Sequence, residues 1–209
     1  MTLAPRSRIL LGLSLHTIEP GLLLAAPRLG DPNFERTVVL LGLHHDEEGS
    51  LGWTMNGPVI ERASTIIRAT GLVDDAGELP HRQGFGRHAR RGGPVQRESV
   101  WILYRAGESD ALLPGSLAVQ GALAVTSTPE ALRALVAGEG PDDFRLLIGY
   151  AGWAPGQLAE ELAEGAWLPA PLDAELLLHE DVDTLWQRAY EKAIGTVPAA
   201  FVSTSRGSA

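Results

Sequence analysis

The sequence predicts a single α+β domain, and three observations carry that reading. Short apolar runs bounded by Gly, Pro or charged turns mark strands, among them Leu22–Ala26, Thr37–Leu43 and Leu51–Asn56. Helical patterns fall between the strands in mixed order rather than in strict alternation, which favours α+β over a doubly wound parallel sheet. A chain of 209 residues, 44% of them hydrophobic, can bury one core without disulfides or metal.

The elements follow in order. Residues 1–18 read as an N-terminal extension. Its apolar stretch Ile9–Leu15 follows Arg6 and Arg8 as a signal-peptide core would. It is brief, too short to span a bilayer, and no small-x-small cleavage site follows it. The expectation is a cytoplasmic protein without membrane contact. The domain itself is expected over residues 19–197. Leu22–Ala26 is a buried strand stopped by Pro27. Thr37–Leu43 and Leu51–Asn56 flank the polar stretch His44–Ser50, so residues 37–56 form a hairpin. Residues 59–71 are predicted as a helix with an imperfect apolar face of Val59, Ala63, Ile66, Ile67 and Ala69, ended by Gly71. Residues 74–93 are rich in Gly, Arg and His without a period, and a mobile loop is expected there.

Val100–Tyr104 is a strand, and Leu117–Thr126 holds one or two more. Ser127-Thr128-Pro129-Glu130 opens a helix, with Ser127 as its cap, Leu132, Leu135 and Val136 inward, and Gly138 at its end. Phe144–Gly149 is a strand. Pro155–Gly165 is a short helix with Gln157, Glu160, Glu161 and Glu164 facing solvent. Residues 182–194 form the last helix. Its stripes are Leu185–Ala189–Ala193 and Trp186–Tyr190–Ile194, and Gly195 and Pro198 stop it. The tail, residues 198–209, is expected to be flexible.

Composition narrows the chemistry. There is no cysteine, which removes disulfides, thiolate metal sites and cysteine nucleophiles. Six scattered His give no metal-ligand spacing, so no metal is expected. No Walker-type Lys and no GxGxxG opening a helix appear, so no cofactor is expected either. GxSxG, HExxH and Ser-x-x-Lys are all missing, and no catalytic residue is assigned. The net charge is −9, and residues 139–191 hold 12 of the 26 acids with only Arg145 and Arg188 against them. An acidic domain lacks the electrostatic footprint of a nucleic-acid binder.

Three blocks together resemble one family. The first runs Gly21-Leu22-Leu23-Leu24-Ala25 through Asp31-Pro32-Asn33-Phe34-Glu35-Arg36-Thr37-Val38-Val39 to Gly52-Trp53-Thr54-Met55-Asn56-Gly57-Pro58. The second is Gly92-Gly93-Pro94-Val95. The third is Gly149-Tyr150-Ala151-Gly152-Trp153-Ala154-Pro155-Gly156-Gln157-Leu158, with Glu161 and Trp167-Leu168 after it. In order and spacing they resemble the AlgH/YqgE family of bacterial proteins over residues 19–194. The resemblance implies a bent, partly barrel-like, mainly antiparallel sheet wrapped by helices. It implies a transcriptional-regulator label, without a recognised DNA-binding motif and without an established reaction. Members commonly carry Arg where Gly57 stands here.

The candidate site residues come from turns. Asp31, Asn33 and Arg36 could frame a polar pocket, or simply make a turn in which Asp31 caps backbone amides. Asn56-Gly57-Pro58 and Gly92-Gly93-Pro94 are two Gly-Pro turns that could border one cleft, glycine allowing close backbone approach. Gly152, Trp153 and Gln157 precede or open a helix, where an anion could bind or an aromatic could anchor the core. Arg82, Arg87, Arg90 and Arg91, with His81 and His88, make the one basic patch and could touch phosphates, or sit in a solvated loop. His44-His45-Asp46 points to opposite strand faces and suits a hairpin turn better than a metal.

The leading expectation is a non-catalytic regulatory or binding domain. It acts through a cleft around Asp31, Arg36, Asn56, Gly93 and Trp153, with a protein partner or a small-molecule ligand. The alternatives are a hydrolase centred on Asp31 and a DNA-binding regulator using residues 81–91.

Overall fold

The computed structural model describes residues 18–73, 77–107, 112–120, 123–179 and 181–195. The expected N-terminal extension, Ile18 apart, and the expected C-terminal tail lie outside these residues. Among the described residues the chain forms ten strands and six helices. The strands are β1 (Gly21–Ala25), β2 (Val38–His45), β3 (Gly49–Thr54), β4 (Val59–Arg62), β5 (His88–Arg91), β6 (Val95–Arg105), β7 (Leu117–Val119), β8 (Leu123–Thr126), β9 (Phe144–Trp153) and β10 (Trp167–Ala170). The helices are α1 (Ala63–Ala69), α2 (Gln83–Gly86), α3 (Pro129–Val136), α4 (Gln157–Ala163), α5 (Ala174–His179) and α6 (Leu185–Ile194).

The main sheet runs β10-β1-β2-β3-β9-β6-β8-β7, with β5 joining β9 and β4 joining β5. Every pairing is antiparallel except β5 with β9. The sheet is bent and does not close. Alternation along β9 explains how it serves two cores. Leu147 packs with α5 and α6 beside Leu22, Leu24, Trp53, Trp186 and Tyr190. Phe144, Leu146 and Ile148 pack on the other face with Ile67 of α1, Phe85 of α2 and Leu132 and Leu135 of α3. A third cluster joins Leu23, Val39, Leu41 and Trp153 to Leu158 of α4 and to Trp167. The α6 stripes read from sequence are buried over their first two members, Leu185, Trp186, Ala189 and Tyr190, while their last members, Ala193 and Ile194, are exposed. The indole N–H of Trp186 and the hydroxyl of Tyr190 both donate to the Ala25 carbonyl, at 2.9 and 3.0 Å.

Several boundaries differ from the sequence reading. Residues 59–62 are the exposed strand β4, not helix; Val59, Glu61 and Arg62 pair with Arg90, Ala89 and His88 of β5, and the helix starts only at Ala63. Residues 83–91, expected to be loop, contain α2 and β5. Gly84 fits against the Phe144 ring, and Phe85 meets that ring edge-on at 5.1 Å. A four-residue strand held by parallel pairing leaves no period to read. The cap of α3 is Thr128 rather than Ser127; its hydroxyl accepts from Ala131 N–H at 3.2 Å and donates to Pro114 carbonyl at 2.8 Å. Strand β10 and helix α5 were not foreseen. Both are short, and their order comes from pairing with β1 and packing under α6.

Asp173 shows how one acid ties this end together. Its carboxylate accepts from Leu176 N–H at 3.0 Å at the start of α5 and pairs with Lys192 of α6. Burial raises its pKa, but the backbone donors and Lys192 outweigh that and leave it below the usual carboxylate value. A depressed folded pKa means the stabilisation is present above the unfolded pKa and is lost as pH falls through the folded one. Wild-type protein is therefore expected to lose stability below about pH 4 more steeply than Asp173→Asn. Urea midpoints from pH 3 to pH 7 check this, and parallel pH profiles would refute it.

Candidate functional site

The site lies where the sheet forks. β9 pairs with β3 at residues 151–153 and with β5 at residues 147–148. Between them the chain turns at Gly149, with φ of 76°. The two Gly-Pro turns fill the fork. Thr54 N–H donates to Gly92 carbonyl at 2.7 Å, Gly92 N–H to Ile148 carbonyl at 2.8 Å, and Arg91 N–H to Pro58 carbonyl at 2.9 Å. The packing is close enough to require glycine. A Cβ on Gly57 would stand 2.0 Å from the Arg91 carbonyl oxygen, and one on Gly93 2.1 Å from the Tyr150 carbonyl carbon. The two turns therefore do border one cleft. It is a cavity of about 40 Å³ lined by Asn33, Thr54, Gly57, Pro58, Arg91, Gly93, Pro94 and Arg97.

Arg97 reaches this place through an irregularity. Val95 pairs with Tyr150 and Val100 with Ile148, five steps on β6 against two on β9. The extra residues loop out, with Gln96 at φ 43° and Ser99 Oγ donating to the Gln96 carbonyl at 2.9 Å. Such bulges re-aim side chains.

The other candidates separate. Asp31 Oδ1 accepts from the backbone and side-chain nitrogens of Asn33 at 2.8 and 3.0 Å, which makes the expected turn. Asn56 Oδ1 accepts from Val38 N–H and its amide donates to the Arg36 carbonyl, both at 2.8 Å, so Asn56 pins the 31–36 loop to the end of β3. Arg36 itself has φ of 51° and lays its guanidinium over Trp186, 5.7 Å from the ring centroid. Asp31 and Arg36 do not line the cleft.

Gly152 and Trp153 border a different groove of about 370 Å³, with Ser50, Val95 and Tyr150. Trp153 is an anchor. It stacks on Phe34 at 6.4 Å and meets Trp167 edge-on at 5.9 Å. Glu161 completes this cluster. One carboxylate oxygen accepts from the indoles of Trp153 and Trp167 at 2.8 and 2.6 Å, and the other from Gln157 at 2.8 Å. The sequence reading of Glu161 as a solvated face is corrected accordingly.

The basic segment is spent on the fold. Arg87 makes a forked pair with Asp143, both bonds 2.6 Å. Arg90 donates to Gly57 carbonyl at 3.0 Å, Arg91 to Arg97 carbonyl at 2.8 Å, and Arg82 to Gly138 carbonyl. Arg82 also lines an open groove of about 690 Å³ with Arg68, Glu78, His81 and Asp142. Nearby, burial together with Arg87 and Arg90 pushes the Arg145 guanidinium down to about 10. His44 bonds Ser50 and Asp46 within the hairpin, and no group of three metal-ligating side chains forms among the described residues.

Sequence reasoning missed Thr54 and Arg97. Thr54 stands inside a motif that was singled out for its glycine and asparagine. Arg97 is brought to the cleft only by the looped-out segment, which has no sequence signature.

A bent, unclosed, mainly antiparallel sheet wrapped by helices, forked around two Gly-Pro turns, defines a single-domain α+β protein. The chain belongs to the AlgH-like family, whose profile matches residues 22–197. A UPF0301 protein of Anaeromyxobacter sp. strain K is 40% identical over 190 residues, covering 88% of this chain and 92% of that protein. One from Rhizobium meliloti is 35% identical over 204 residues, covering 93% and 98%. The solution structure of the AlgH protein from Pseudomonas aeruginosa superposes with a TM-score of 0.69 at 29% identity, covering 91% of this chain and 95% of that one. Protein DIP2367 from Corynebacterium diphtheriae shares the fold, with a TM-score of 0.64 at 23% identity over 88% and 92% of the two chains. Among the described residues no helix is long and apolar enough to cross a membrane.

Proposed function

We propose that this chain is a non-catalytic binding domain acting in the cytoplasm, and that its binding site is the cleft at the fork of the sheet. The observation that carries this reading is the convergence of the two Gly-Pro turns on one cavity that also collects Thr54, Arg91 and Arg97. The lining holds no carboxylate and no imidazole, so it offers recognition groups rather than an acid–base pair. Asp31 is engaged with Asn33, which gives the hydrolase reading little to build on. The commitments of Arg82, Arg87 and Arg90 within the fold weigh against a DNA interface at residues 81–91. A regulatory role, by this reading, works through ligand or partner binding.

The test is native mass spectrometry on full-length protein purified gently from its own host, beside Arg97→Glu. The expected result is an additional mass on the wild type that the exposed-site variant loses while remaining folded. The same mass on both proteins would place binding elsewhere.

A further inference from the structure

We propose that the cleft between the two Gly-Pro turns takes a terminal oxyanion, a phosphate or carboxylate group carried by a small molecule; this rests on the reading of that cleft as the binding site. The first observation is Thr54. Its side chain is 3% exposed and lines the cavity, yet its hydroxyl meets no hydrogen-bond partner among the described residues. A buried unpaired hydroxyl costs about 1–3 kcal/mol, and such groups in native folds ordinarily have a partner. Trp53 and Met55 on either side are fully buried in the core, where the Trp53 indole N–H is likewise without a partner among the described residues; of the two unpaired groups only Thr54 belongs to a cavity-lining residue. A valine would fill position 54 without that cost, so the hydroxyl points to a group arriving from the cavity.

The second observation is charge. Arg91 and Arg97 both line a cavity that has no acidic residue, in a chain of net charge −9. Arg91 is steadied by its bond to the Arg97 carbonyl. The Arg97 guanidinium is exposed and makes no hydrogen bond or ion pair among the described residues. A hydroxyl and two guanidiniums can all donate to an oxyanion, and guanidinium pairs best with planar or tetrahedral oxyanions. A cation would meet repulsion here.

The third observation is size. About 40 Å³ suits a single small terminal group and not the body of a larger molecule. The ligand therefore inserts one terminal group and leaves its body outside. The Thr54 hydroxyl is covered, so the entering group has to displace a lining side chain. The Arg97 side chain, exposed on its looped-out segment and without a hydrogen bond or ion pair of its own among the described residues, is the movable part of that wall.

The experiment is a heteronuclear NMR titration of the full-length chain with inorganic phosphate, with acetate, and with chloride as the ionic-strength control. Saturable shifts at the amides of Thr54, Gly57, Gly93 and Arg97 are expected with an oxyanion and not with chloride. Tighter binding of phosphate or of acetate assigns the group. Thr54→Val and Arg97→Gln are each expected to bind about tenfold more weakly. Thr54→Ser is expected to keep affinity, and Arg133→Gln on α3 to behave as wild type. No saturation with either oxyanion, or equal affinity in wild type, Thr54→Val and Arg97→Gln, overturns the proposal. A panel of uncharged small molecules run alongside separates the two readings. Cleft shifts from uncharged compounds alone overturn the oxyanion and keep the cleft; no cleft shifts from any compound overturn both.

Discussion

Gly93→Ala is expected to destabilise the protein by about 3–5 kcal/mol, the largest effect of any single methyl addition at the cleft. The added Cβ would lie 2.1 Å from the Tyr150 carbonyl carbon, 2.2 Å from its oxygen and 2.4 Å from the Ala151 nitrogen. All three are backbone atoms of β9, the strand shared by β3, β5 and β6, so none can turn aside as a side-chain end would. The strain has to be relieved by pulling the Gly92–Pro94 turn off the fork. That would break the bonds from Thr54 to Gly92 and from Gly92 to Ile148. Gly30→Ala is the control, because a Cβ there meets nothing within 4 Å; a change within about 0.5 kcal/mol is expected. Urea unfolding of the two variants decides the matter, and equal midpoints would show that the turn is not locked as described.

Glu161→Ala is expected to cost about 2–4 kcal/mol. The carboxylate holds the indole N–H groups of Trp153 and Trp167 together with Gln157. Trp153 and Trp167 are about 5% and 4% exposed, so neither can trade this acceptor for bulk water. Removing it leaves two buried donors unpaired and loosens the aromatic cluster with Phe34, which covers one face of β1 and β2. Glu161→Gln keeps one carbonyl acceptor and is expected to lose about half as much. Thermal melts with tryptophan emission as the probe test both parts. An Ala variant no less stable than the Gln variant would mean that the two indoles find other acceptors.

Asn56 and Gly57 show how adjacent motif residues divide their tasks. Asn56 spends its whole amide on the backbone of Val38 and Arg36. Gly57 makes room for Arg91. Both read from sequence as cleft residues, and both prove first to be fold residues, with Gly57 also in the lining. The pair Asp31 and Asn33 divides in the same way: the carboxylate closes a turn, and Asn33 alone lines the cleft.

What the sequence determined by itself was local or repeated along the chain. The β1 and β2 runs, the hairpin of β2 and β3, the stripes of α6 and its stop at Gly195 follow from side-chain periodicity and glycine chemistry, which act over a few residues. The three motif blocks also carried the family, because their order needs no coordinates. The tertiary structure alone decided the rest. Strands β4, β5 and β10 are too short to show a period, and they exist because distant strands offer them partners. The site depends on four segments meeting at a fork: the 31–36 loop, the end of β3, the Gly92–Pro94 turn and the looped-out stretch of β6. Thr54 is an ordinary strand residue until its neighbours leave its hydroxyl unpaired, and Arg97 is an ordinary surface arginine until a bulge brings it into the lining of the same cavity. Burial and convergence are long-range properties, and no spacing along the chain encodes them.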